Sequence, residues 1–309
     1  MEKVKQQHYV PRMYLNRFGY ISHGVKKITV LKLDDGVVLE NQRAENFASV
    51  NYFYDTEREE LVKSLCDDLI LKSELIDNEK LSDKQFVEHA LAREESAISR
   101  MLDELQKDLS KIHVSPNKSL MIIFLHSLAY RTKYFREQMD DINNKTQELL
   151  NVVCDSLELD EPTRKKAIEE NCATGKETQL YQIMGMQPVL KTMRMLLNNY
   201  DWYEAINNTE LDFVISDNPA DRVRTGFNDI CIPISCNKAI IFRIKDKDLP
   251  IISKDLPVNG VIDLSLESVV AYNKLQLQVG QKFLFGTSKS INFMKHIWEL
   301  NQAILRKCN

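Results

Sequence analysis

The stretch LDFVISDNPADR, residues 211 to 222, ends a strand-forming run abruptly at Ser216-Asp217-Asn218-Pro219. Pro219 lacks a backbone N–H and pushes Asn218 toward extended geometry, so a strand must stop there. An Asp and an Asn at a strand end supply acceptor oxygens and amide donors, enough to hold a metal ion, a sugar hydroxyl or an arginine. Asp-Asn-Pro is equally a turn whose side chains cap their own backbone. A second set of chemistry-bearing residues breaks two apolar stripes. In SDKQFVEHALAREESAISRMLDELQKDL the stripe Val87, Leu91, Ile98, Leu102, Leu105, Leu109 skips a turn, and Glu94 and Glu95 flank the gap. In SLMIIFLHSLAYRTKYFREQM, Arg131 shares its face with Leu120, Phe124, Leu128 and Phe135. A guanidinium on an apolar face needs an acceptor, because an unpaired buried charge costs several kcal/mol. Arg131 is therefore expected to meet Glu95 or Glu94, or an anionic ligand between the helices. A buried ion pair that only fixes helix register gives the same pattern.

Three zones must position these residues. Residues 1–56 open with HYVPRMYLNRF and continue through KITVLKLDDGVVLEN, where Asp35-Gly36 between alternating apolar runs predicts a hairpin. Residues 57–200 carry apolar residues at spacings of three and four with few Gly or Pro, which predicts helices. Residues 200–309 hold the strand candidates DWYEAIN, LDFVIS, DICIPIS, KAIIFRIK and KFLFG, a helix near SLESVVAYNKLQ and a last helix from about 288 to 305. The expected fold is a single α+β domain: a mostly antiparallel sheet built from the N- and C-terminal segments, packed against a large helical insertion at 57–200.

Composition narrows the function classes. The chain has 309 residues, 43% hydrophobic and 28% charged, with nine Gly and eight Pro, which suits a helix-rich globular protein with a substantial core. A net charge of -4 gives no general attraction to polyanions, although a local basic patch can act against that average. No apolar leader precedes HYVPR and no run approaches the roughly 18 to 20 apolar residues of a membrane span, so a cytoplasmic protein is expected. The six cysteines form no C-x-x-C pair and read as reduced core thiols. The motifs of phosphate loops, dinucleotide folds and serine hydrolases are missing. Arg12 and Arg17 interleave with Tyr9, Tyr14 and Phe18, a composition able to stack bases or, more simply, to pack across a sheet.

Taken together, HYVPRMYLNRF, NYFYD, the Glu-bearing helix, YRT, FVISDNP, IPIS, AYNKLQL and KFLFG resemble the bacterial family catalogued as domain of unknown function 4238, from about residue 7 to residue 286. The resemblance implies a polar signature at His8, Pro11, Tyr14, Phe18, Asn51, Tyr54, Glu95, Arg131, Asp217, Asn218, Pro219 and Asn273. The family's usual prolines after Arg-Thr and in the strand-end segment are replaced here by Lys133 and Cys236.

If these residues converge, His8 with Arg12 from the first segment, Glu95 and Arg131 from the insertion, and Asp217 with Asn218 from the strand end would build one site. His8 would act as general base or acid, Asp217 and Glu95 would orient it or hold Mg²⁺ or Mn²⁺, and Arg131 would bind phosphate. Asn51, Tyr54 and Asn273 would complete the binding set. That inventory and the resemblance imply an intracellular hydrolase acting on nucleic acid or nucleotide phosphate, in a phage-defence setting. The alternative is a non-catalytic ligand- or partner-binding module held together by a buried polar network.

Overall fold

The computed structural model describes residues 3–57, 59–60, 83–225, 229–246 and 251–308. The first segment comprises strand β1 (Gln6–His8), a helical turn α1 (Arg12–Leu15), β2 (Tyr20–Ser22), β3 (Val25–Lys32), β4 (Val38–Gln42) and β5 (Ser49–Asn51). The β-branched run Ile28-Thr29-Val30 builds β3, buried on both faces, and the predicted hairpin joins it to β4. Gly36 takes φ +72° in that turn, and a Cβ there would strike the Trp298 ring. The hairpin therefore needs glycine for both its conformation and its contact.

Among the described residues there follow the helices α2 (Phe86–Lys107), α3 (Ser115–Tyr130), α4 (Lys133–Ser156), α5 (Glu161–Asn171), α6 (Gly175–Met184) and α7 (Met186–Asn199). The start of the expected helical zone, 61–82, lies outside the described residues. All six apolar residues of the interrupted stripe are buried, and Leu109 belongs to a 3₁₀ turn just beyond α2. The YRT segment departs from expectation, because the chain does not run as one helix through Arg131. Helix α3 closes at Arg131, and the Thr132 hydroxyl caps α4 by accepting the Phe135 N–H at 3.2 Å. Lys133 opens α4, the first-turn position that suits the proline expected there, since that residue's N–H has no partner in its own helix.

The last segment contributes β6 (Tyr200–Ile206), β7 (Ile215–Ser216), a short helix α8 (Asp221–Thr225), β8 (Asp229–Pro233), β9 (Lys238–Ile244), β10 (Val261–Asp263), α9 (Leu266–Val279), β11 (Phe283–Gly286) and α10 (Ser288–Cys308). The two ends of the chain do share a sheet: β2, β3, β11 and β7 lie side by side with β4 also on β3, every pair antiparallel. The strands nevertheless divide. A second, four-stranded sheet of order β10-β6-β9-β8 comes wholly from the last segment, and β10 runs parallel to β6. Strands β1 and β5 form a separate antiparallel ribbon. Sequence reading missed β10 because three residues are too few to show alternation. The LDFVIS run shrinks to two paired residues, since side chains and loops take its other backbone bonds. Phe213 donates to the Cys236 carbonyl at 2.8 Å, Asp212 to Ser290 Oγ at 2.8 Å, and Val214 to Asn273 Oδ1 at 3.0 Å.

Candidate functional site

The anomaly on the two helices resolves into a hub. Arg131 is 2% exposed, and the break between α3 and α4 turns its side chain inward. Its Nη1 donates to Glu95 Oε1 at 2.8 Å, its Nη2 to the His8 carbonyl at 2.6 Å and its Nε to the Tyr54 hydroxyl at 3.4 Å. The Tyr54 hydroxyl donates in turn to the Arg131 carbonyl at 2.9 Å. Burial alone would lower the guanidinium pKa, but Tyr54 and Glu95 outweigh it and keep the group charged. Of the two carboxylates left open by the sequence, Glu95 is the partner. Glu94 points to a drier place, where burial raises its pKa and Oε1 has no hydrogen-bond partner.

The hub extends into a chain of amides that motif reading did not find. Gln7 accepts the Tyr54 N–H at 2.6 Å and donates to Asp55 at 2.6 Å. Gln179 is fully buried and donates to the carbonyls of Tyr130 and Thr132, both at 2.9 Å, which satisfies the helix break. Arg136 donates to Gln179 Oε1 and to the Phe53 carbonyl, both at 2.8 Å, with its guanidinium 3.7 Å from the Phe53 ring centre. A glutamine at an apolar position of the helix TQLYQIM was the available signal.

The Ser-Asp-Asn-Pro corner is a second knot. Asp217 is buried, and its two oxygens accept the backbone N–H groups of Gln281 at 2.8 Å and Lys282 at 3.0 Å. Burial raises its pKa and those amides oppose the rise. Asn218 donates to Asp221 Oδ1 at 3.2 Å and to the Val279 carbonyl at 3.3 Å, while its Oδ1 is buried without a partner. Helix α9 supplies Asn273 and Gln276, one turn apart, to the adjoining backbone. Asn273 accepts from Val214 N and donates to the Asp212 carbonyl at 2.9 Å; Gln276 accepts from Ser216 N at 2.9 Å and donates to the Pro219 carbonyl at 3.0 Å. Side chains thus stand in for a missing neighbouring strand. The strand ends in an acid and an amide because they fasten it to the turn before β11 and to α8.

The expected convergence is only partial. Glu95, Arg131, Tyr54 and the His8 backbone meet in the hub, whereas Asp217, Asn218 and Asn273 meet in the corner. Among the described residues no hydrogen bond joins the two groups. Tyr9 lies between them, its hydroxyl pKa raised by burial and then by Asp217, Glu137 and Tyr54. The His8 ring does not reach the hub as a hydrogen-bonding base. Its Nε2 is 3.1 Å from the Glu45 carbonyl, and burial foremost lowers its pKa. Arg12 is exposed and 3.9 Å from Glu45, and Asn51 is an exposed residue of β5 opposite Gln6.

The assigned carboxylates do not form one cation site, because Asp217, with both oxygens bonded to backbone amides, and Glu95, with Oε1 bonded to Arg131, belong to separate knots. Among the described residues no cluster of three His, Cys, Asp or Glu side chains could hold a metal ion. The acid–base group that sequence reading overlooked is Glu88, two turns before Glu95 on α2. Burial pushes its pKa up to about 7, with Arg131 opposing and Glu95 and Asp55 adding, and its buried Oε2 lacks a partner.

A helical layer, a sheet shared by the chain ends and two buried polar knots define an α+β protein. The chain belongs to the family described as protein of unknown function DUF4238, whose model matches residues 6–290. Neither the curated proteins nor the solved structures give a match. No helix among the described residues is long and apolar enough to cross a membrane.

Proposed function

We propose that this protein is a binding module, and that its polar signature is scaffold for a ligand surface rather than catalytic machinery. The observation that carries this reading is the engagement of the signature atoms. All three nitrogens of Arg131, both oxygens of Asp217 and both amide atoms of Asn273 already bond protein groups. A group that must bind phosphate or a cation cannot have its polar atoms committed in this way without breaking bonds that hold the fold.

The test is incubation of the pure protein with total RNA, plasmid DNA and a nucleotide panel, with and without Mg²⁺ or Mn²⁺, beside Asp217→Ala and His8→Ala. The expected result is ligand retention without turnover, with Asp217→Ala melting at a lower temperature. Cleavage that requires Asp217 at an unchanged melting point would overturn the reading.

One observation favours the second reading, an intracellular hydrolase of nucleic acid or nucleotide phosphate. Glu88 is a half-buried carboxyl with a pKa raised to about 7, beside Glu95 and the Arg131 charge, as a general acid requires. Under that reading a rate profile would show a limb near neutral pH that Glu88→Gln removes.

A further inference from the structure

If the signature is scaffold, its products are the surfaces it positions, and both knots lie behind the same groove. The groove has a volume of about 520 Å³, within the range of small-molecule sites. Tyr130, the residue before the hub arginine, lines it at the end of α3, and Tyr181 lines it from α6. From α7 come Lys191, Arg194 and Met195, and from α8, directly after the Ser-Asp-Asn-Pro corner, comes Arg224. None of the lining side chains is acidic.

We propose that this groove binds a nucleotide, with Lys191 and Arg194 taking the phosphates and the base lying against the Tyr130 and Tyr181 side. The proposal rests on the binding-module reading above and supplies its ligand class. Three observations support it. First, Lys191 and Arg194 are exposed on one face of α7, and among the described residues neither has an ion-pair partner. On a chain of net charge -4, two free cations beside a third mark a local site for an anion. Second, Arg224 is fixed in the groove wall and adds its charge to the local field without being free to contact the ligand. It pairs with Asp221, donates to Gln138 Oε1 at 3.2 Å and packs its guanidinium 5.3 Å from the Phe135 ring centre. Asp221 is itself fixed by Asn218, so the corner motif sets the position of a groove cation. Third, the walls are locked together from behind. The buried ring of His126 on α3 meets Thr192 Oγ1 on α7 at 2.8 Å and the Gln182 carbonyl on α6 at 2.7 Å. Cations from α7 together with tyrosines from α3 and α6 match an anion that carries a flat, apolar ring.

Calorimetric titration of the full-length chain with ATP, GTP, AMP, inorganic pyrophosphate and a short single-stranded RNA tests this, alongside the Lys191→Glu/Arg194→Glu variant. The expected result is saturable nucleotide binding that exceeds that of pyrophosphate and falls by at least about tenfold in the variant, whose melting temperature is unchanged. Failure of every nucleotide to bind at millimolar concentration overturns the proposal, as does equal affinity in the variant. Binding of RNA without binding of nucleotides also overturns it, in favour of a nucleic-acid surface. Hydrolysis of a bound nucleotide, abolished by the same charge reversal, would keep the groove and discard the binding-only reading. Nucleotide binding that ignores the reversal would discard the groove and keep that reading.

Discussion

Two cationic regions of this molecule use the same chemistry in opposite ways. Arg131 is enclosed, and every nitrogen of its guanidinium meets a protein acceptor. Lys191 and Arg194 lie open on α7, and among the described residues neither has an ion-pair partner. A charge that stands out in the sequence by sitting on an apolar face must have been given partners by the fold, so it is the one least free to meet a ligand. The charges free to do so sit where charges are ordinary, and nothing in the sequence marks them.

The sharpest way to break this comparison is to empty the hub. Arg131→Ala leaves Glu95 and the His8 carbonyl without their donor and is expected to lower unfolding free energy by about 3–5 kcal/mol, read by urea denaturation. If the variant is as stable as wild type and instead loses ligand, the hub is the binding site and the comparison is inverted. The corner should respond less. Asp217→Asn keeps one acceptor and turns an amide N–H toward the second backbone donor, for an expected loss of about 1–3 kcal/mol. A stability unchanged within error would mean that the two amides of Gln281 and Lys282 do not depend on this carboxylate.

Glu88 sharpens the comparison through pH. Its folded pKa of about 7 lies above the ordinary value of 4.5, so the folded state holds the proton more tightly than the unfolded chain. Its contribution to stability is complete below about pH 4.5 and is lost as pH rises through about 7. Glu88→Gln, which imitates the protonated form, should remove that slope. The variant should exceed wild type at about pH 8 by about 1–2 kcal/mol, a figure reduced for the solvent that still reaches the group. The two should converge near about pH 4. Parallel stability curves across that range would show that Glu88 titrates as an ordinary surface carboxyl.

How much of this could be read beforehand depended on whether a residue violated its local pattern. Arg131 and the gap at Glu94 and Glu95 broke apolar periodicity, and the partner of Arg131 proved to be one of the two acids named. Asp35-Gly36 carried its own turn chemistry, and the hairpin formed where expected. Asp217 and Asn218 were visible as a corner, but the identity of what they bind was not, because the acceptors and donors at 276–282 are distant in sequence and mostly backbone. His8, Asn51 and Asn273 came from resemblance alone, which flags a position without saying whether its ring, its amide or only its carbonyl is used. His8 contributes its carbonyl to the hub. Gln179 and Glu88 were missed because a glutamine or glutamate on a helix is unremarkable until the neighbouring helices enclose it. The division into two sheets was equally illegible, since alternation marks strands but not which strands pair.

The smallest expected effect tests the comparison from its other side. Arg12 carries the same charge as Arg131 and was expected in the same site, yet it is exposed and its nearest carboxylate, Glu45, is 3.9 Å away and also held by Arg43 at 3.0 Å. An exposed pair at that distance gains little in water, and Glu45 keeps a cation when Arg12 is removed. Arg12→Ala is therefore expected to change stability by no more than about 0.5 kcal/mol and to leave nucleotide affinity unaltered, because the groove is lined by other residues. Thermal melts of the two single variants in one buffer make the comparison direct. A loss in Arg12→Ala approaching that of Arg131→Ala would show that exposure does not separate scaffold from free charge in this protein. A loss of nucleotide binding at unchanged stability would move the ligand to the depression that Arg12 shares with Lys26 and Arg43.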